Sequence, residues 1–120
     1  MLVCAMGNIA ARIAVMLCLV VIGLPYLLHR GRLWPHYWAG YIVLGLSFLH
    51  AGSVMTAMRR ANATGIWAAS GALSLLAFEI ALGLSLRESA WKERAAVRRI
   101  HFWIAVSFVS LLTVHLWLNA

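Results

Sequence analysis

Four apolar runs, each about 20 residues long and so long enough to cross a bilayer as α-helix, take up most of this chain. They cover residues 9–28, 36–58, 65–86 and 97–118. Lipid gives backbone N–H and C=O groups no partner, so a run of this kind closes its hydrogen bonds within a helix. Composition leaves little alternative. Of the 120 residues 64% are hydrophobic and only 11% charged, and mean hydropathy is +0.90. A soluble domain of this size needs a polar surface that this chain cannot make. The short links, 29–35 and 59–64 with a longer charged stretch at 87–96, join neighbouring spans. The expected fold is all-α, an integral membrane up-down-up-down four-helix bundle, with residues 1–120 as one domain. Pro35 falls in the first turn of the second helix, where a missing N–H costs nothing. The N-terminal stretch lacks a basic start and runs into further apolar chain, so the first span is expected to be retained.

The net charge of +7 lies between the apolar runs. Arg30, Arg32, Arg87, Lys92, Arg94, Arg98 and Arg99 fall on one side of the expected bundle, against Arg12, Arg59 and Arg60 on the other. Positive-inside asymmetry puts the first and third loops in the cytoplasm and both termini outside. Such placement suits lipid headgroups and argues against nucleic acid as a partner. Trp34, Trp38, Trp67, Trp103 and Trp117 lie near span ends, as an interfacial belt requires. Cys4 and Cys18 share one helix, too far apart along it to bridge, and read as small core residues.

Four of the five histidines form two pairs of identical spacing. His36 and His50 are fourteen residues apart, as are His101 and His115. Over that interval a helix advances about 21 Å and returns to within roughly 40° of the starting face. Each pair therefore sets one imidazole near either edge of the bilayer on a common face. In the expected bundle the second and fourth helices are parallel, which matches His36 with His101 and His50 with His115 by depth. Bis-histidine ligation of two haems accounts for four imidazoles in an apolar setting, where unsatisfied ones are costly. Gly40, Val43 and Ser47 lie between the first pair, and Ala105, Phe108 and Leu112 between the second. His29, beside Arg30, reads as a headgroup-level residue.

In HYWAGYIVLGLSFLH (His36 to His50) and HFWIAVSFVSLLTVH (His101 to His115) the chain resembles the haem-binding four-helix module of bacterial dihaem membrane cytochromes b. The resemblance covers essentially the whole chain. It implies two noncovalent b-type haems, one near each membrane face, with these four histidines as ligands to iron. It also implies a multi-pass place in the bacterial cytoplasmic (inner) membrane. No Cys-x-x-Cys-His attachment motif occurs, and the additional helices that form quinone sites in larger relatives are missing from this sequence.

Haem propionates need cations. Arg98, one turn before His101 on nearly the same face, is the first candidate for the cytoplasmic haem, with Arg99 behind it. Arg59 and Arg60, beyond His50, and Arg12, in the first span, are candidates for the outer haem. All of these arginines also suit snorkelling anchors. Glu79 is the sole acidic residue inside an apolar run, and an intramembrane carboxylate is a functional candidate by default. It fits a proton relay, a quinone contact or a hydrogen bond to a neighbouring helix. The expected function is transmembrane electron transfer, as the cytochrome b subunit of a larger respiratory oxidoreductase rather than an enzyme by itself. Expected partners are membrane lipid, other subunits, and a soluble or peripheral redox protein; quinone is a further candidate. The rivals are a haem-free membrane anchor or assembly subunit and a four-span proton-coupled exporter using Glu79.

Overall fold

The computed structural model of the chain describes residues 2–27, 33–54, 62–88 and 91–119, with side chains described over 9–24, 33–54, 62–88 and 93–119. It is all-helical, with a helix over each apolar run: α1 (Leu2–Leu27), α2 (Trp34–Val54), α3 (Ala63–Glu88) and α4 (Trp91–Asn119). Residues 55–58, the end of the expected second span, lie outside the described residues, as do His29, Arg30, Arg32, Arg59 and Arg60.

The third loop departs from expectation. Instead of an extended charged loop over 87–96, α3 continues to Glu88 and α4 begins at Trp91. Lys92, Glu93, Arg94, Ala95 and Ala96 are strong helix formers. Glu93 in the first turn of α4 and Arg87 in the last turn of α3 both complement their helix dipoles. At its other end α3 starts from Asn62, whose Oδ1 accepts from the backbone N–H of Thr64 at 2.9 Å and of Gly65 at 3.3 Å. That arrangement satisfies two of the amides a helix start leaves unpaired.

Among the described residues two helical segments, Ala63–Glu88 and Glu93–Asn119, are long and apolar enough to cross a membrane. The described side chains of α1 give a shorter apolar segment, Ile9–Leu24. Helix α2 opens on Trp34, Pro35, His36, Tyr37 and Trp38.

The chain forms two compact units, Met1–Met58 and Arg59–Ala120. In the first, α1 packs on α2; in the second, α3 packs on α4. Helix α1 buries Ala10, Ala14 and Cys18, successive residues of one i, i+4 stripe. Val43 of α2 is the most deeply buried large side chain, 1% exposed.

In the second unit the buried stripe of α3 is Gly65, Ala68, Ala72, Leu76, Glu79 and Gly83. Small residues at this spacing let two helix backbones approach closely, which is how helices associate in lipid. A Cβ at Gly71 would stand 3.0 Å from a Leu111 methyl of α4. Partners across this seam are mirrored about residues 90–91: Gly65 with His115, Gly71 with Leu111, Glu79 with His101. The two helices therefore form an antiparallel hairpin in a fixed register.

Large apolar side chains face outward, among them Met16, Leu19, Phe48, Phe78 and Ile100. Trp34, Trp38, Trp67, Trp103 and Trp117 are also exposed. Hydroxyls on the helices turn back to their own backbone: Ser74, Ser107, Ser110 and Thr113 each donate to the carbonyl four residues earlier, at 2.8–3.0 Å. Such groups bring polar atoms to an apolar surface without leaving donors unsatisfied.

Candidate functional site

Proline chemistry places the first histidine. Pro25 lies within α1 and has no N–H to give the carbonyl of Val21, its partner four residues back in the helical ladder. His36, in the first turns of α2, fills that vacancy: its Nδ1 lies 3.1 Å from the Val21 oxygen. A carbonyl only accepts, so Nδ1 carries the proton and donates. The neutral imidazole then carries its lone pair on Nε2.

The α4 pair is held by the same ring nitrogen. His115 Nδ1 donates to the carbonyl of Gly65 at 3.0 Å. A Cβ at residue 65 would overlap the Asn119 side chain and displace it. Asn119 braces the same corner. Its Nδ2 donates to the His115 carbonyl at 3.1 Å, and its Oδ1 accepts from the Asn62 N–H at 3.3 Å. His101 meets a carboxyl side chain instead: its Nδ1 lies against Oε2 of Glu79. Glu79 is 7% exposed, and His101 is half-buried.

His101 and His115 thus lie two heptads apart on one seam, facing two α3 groups that are themselves fourteen residues apart, Glu79 and Gly65. They occupy separate levels, about 21 Å apart by helix rise. Helix α2 repeats the pattern. His36, Gly40, Val43, Ser47 and His50 fall on one stripe, with His50 half-buried and its carbonyl accepting from Ser53 Oγ at 2.8 Å. In both helices the residue midway between the histidines is buried, Val43 in α2 and Phe108 in α4. Among the described residues no group of three or more His, Cys, Asp or Glu converges; a bis-histidine iron needs only two protein ligands.

Of the expected propionate partners, Arg12 is exposed on α1, beside a shallow apolar groove lined by Ile13, Met16, Leu17 and Val20. Arg98 and Arg99 are exposed on α4. Arg59 lies outside the described residues. The pairing of Glu79 with His101 was not read from the sequence. The signal is present in it, because centring the turn of an α3–α4 hairpin near residue 90 sets positions 79 and 101 at one level. The Pro25–Val21–His36 relation carries a weaker signal: a proline inside an apolar helix leaves a carbonyl that some donor must meet.

The donor chemistry fits a haem ligand set. A ring whose Nδ1–H is tied to a carbonyl or carboxylate has its tautomer and orientation fixed, with Nε2 as the ligating atom. His36 and His115 have this arrangement, and His101 Nδ1 lies against Oε2 of Glu79. Gly40, one turn beyond His36 on the histidine stripe, borders open space: a Cβ there would meet nothing within 4 Å. No family model, curated protein or solved structure matches this chain.

Proposed function

We propose that this chain is a membrane-embedded four-helix cytochrome b that carries electrons across the bilayer, with His36, His50, His101 and His115 as axial ligands of two noncovalent haems. The observation that carries the reading is the repeated histidine geometry. Two helices each present imidazoles fourteen residues apart on one stripe, and the rings of His36 and His115 are tied through Nδ1 to carbonyls of the neighbouring helix. Bound haem would supply reversible one-electron chemistry. The residues' contribution is to fix the ligand tautomers, exclude water with the apolar seams, and bring cations near the propionates. Arg98, Arg99, Arg12 and Arg59 are the residues proposed for that last role, and the opening beside Gly40 gives a flat ligand room against α2.

Exposed apolar side chains, outward tryptophans and hydroxyls satisfied within their own helices support residence of all four helices in a membrane. The charge asymmetry supports an inner-membrane topology with both termini outside. At this size the chain is proposed to serve as the membrane subunit of a larger redox complex, with a soluble or peripheral protein, and quinone as a further candidate, exchanging electrons with it.

Purified protein is expected to show the sharp reduced-minus-oxidised bands of bis-histidine haem at two haems per chain. His50→Ala and His101→Ala are each expected to lose one of them. The bonds to Val21 and Gly65 and the contact with Glu79 also suit a haem-free helical anchor, and a colourless preparation reconstituted with haem to no effect selects that reading.

A further inference from the structure

Because the charged segment is helical on both sides of its turn, the positions of its arginines are fixed. Only residues 89 and 90 separate α3 from α4. Arg87 follows Gly83 by four residues and so continues the buried stripe of α3. Arg94 precedes His101 by seven residues and stands within about 20° of the same stripe on α4. The register that matches Gly65 with His115, Gly71 with Leu111 and Glu79 with His101 sets residue 87 level with residues 93–95. The seam therefore ends in two exposed arginines, one from each helix. Like charges at one level repel, and an anion between them turns that repulsion into attraction. Glu88 and Glu93 are exposed nearby, each about 100° round its helix from the adjacent arginine. Arg98 and Arg99, both exposed, leave the tip with more positive than negative charge. Depth selects the kind of anion. Leu84, three residues before Arg87, and Ile100, six after Arg94, are large exposed apolar residues, and Phe102 and Trp103 follow on α4. Helix rise sets the two arginines about 5 and 9 Å beyond that apolar surface. A headgroup layer is about 6 Å thick, within reach of long side chains that bend toward it.

Resting on the membrane reading above, we infer that the α3–α4 tip is a phospholipid site, where Arg87 and Arg94 clamp the phosphate of an anionic lipid. A guanidinium offers parallel N–H donors to two phosphate oxygens, and two of them on separate helices hold the headgroup from both sides. The acyl chains then run down the apolar surface that begins at Leu84 and Ile100. An acidic protein is the poorer fit, because it would have to reach these guanidiniums through the headgroup layer. The assignment needs no haem.

The test is lipid retention by the purified chain in detergent, read by native mass spectrometry with phosphatidylglycerol against phosphatidylcholine. Wild type is compared with Arg87→Gln, Arg94→Gln and Arg99→Gln, since glutamine keeps helix propensity at these exposed positions. Wild type is expected to retain phosphatidylglycerol in preference. Arg87→Gln and Arg94→Gln are each expected to weaken that retention about tenfold, the scale of a hydrogen bond to a charged group. Arg99 lies nine residues from buried Phe108 and so on the side of α4 away from the seam. Its loss is expected to change retention by under about twofold, as for a screened surface charge. Equal losses in all three variants show diffuse attraction, and equal retention of the two lipids shows no anion site. Either result overturns the inference and leaves the membrane reading standing. Polyglutamate that binds wild type but not Arg87→Gln or Arg94→Gln, with lipid retention unmoved by those changes, assigns the tip to a protein partner and overturns it as well. A chain that enters bilayers of neither lipid overturns the membrane reading itself.

Discussion

Pro25 withholds an amide proton from the Val21 carbonyl, and His36, on the next helix, provides one. Because residue 25 decides whether the Val21 carbonyl is left for His36, the two positions are coupled. Pro25→Ala restores the ladder bond within α1 and is expected to release His36, mixing its tautomers in the nitrogen spectrum of the haem-free protein. An unchanged His36 spectrum contradicts the coupling. Gly65 is constrained by the opposite problem, since any Cβ there meets Asn119. Gly65→Ala is expected to displace Asn119 and weaken the His115 bond, costing about 1 kcal/mol, the scale of interhelical hydrogen bonds in lipid. With the Asn119→Ala background removing the obstacle, most of that cost should vanish, which a double-mutant cycle on thermal or denaturant stability measures. A full, additive cost in both backgrounds would place the strain elsewhere. Gly40 has no such neighbour. Gly40→Leu is expected to leave the haem-free helices as stable as wild type while lowering haem occupancy several-fold, read from the absorption spectrum; unchanged occupancy would remove the haem from that face.

At the scale of elements, the seam between α3 and α4 explains what could be read from residues alone and what could not. Apolar run length located all four helices, because lipid-like sequence has one backbone solution. Histidine spacing located both α4 ligand candidates on one stripe, because fourteen residues nearly close a whole number of turns. Helix ends were harder. The charged segment after Arg87 looks like a loop by polarity, yet its residues are strong helix formers, and propensity prevails in a solvated first turn. The partner of each ring was hidden for a different reason. Glu79 and His101 lie more than twenty residues apart, and only the hairpin register, fixed by close contacts such as Gly71 against Leu111, brings them together. That register makes its own prediction. In a background lacking native cysteines, Gly71→Cys with Leu111→Cys is expected to form a disulfide on mild oxidation, seen as a reduced-mobility shift reversed by thiol. Failure to cross-link, with Gly71→Cys linking readily to a site one turn away, contradicts the antiparallel register.

For the molecule as a whole, each unit is a helical hairpin whose second helix carries a histidine at both ends of one stripe and a buried residue midway. Outward tryptophans and self-satisfied hydroxyls are compatible with a lipid environment. A periplasm-active reporter fused to either terminus is expected to be active, and one fused after Arg94 silent; the reverse pattern would invert the topology. The central claim is that four imidazoles ligate two irons, and quantifying haem against protein in purified chain tests it most directly. The account predicts two haems per chain, falling to one in His101→Ala and to none when His50→Ala is added. Protein that stays colourless after reconstitution, or that keeps both haems without His50 and His101, contradicts it.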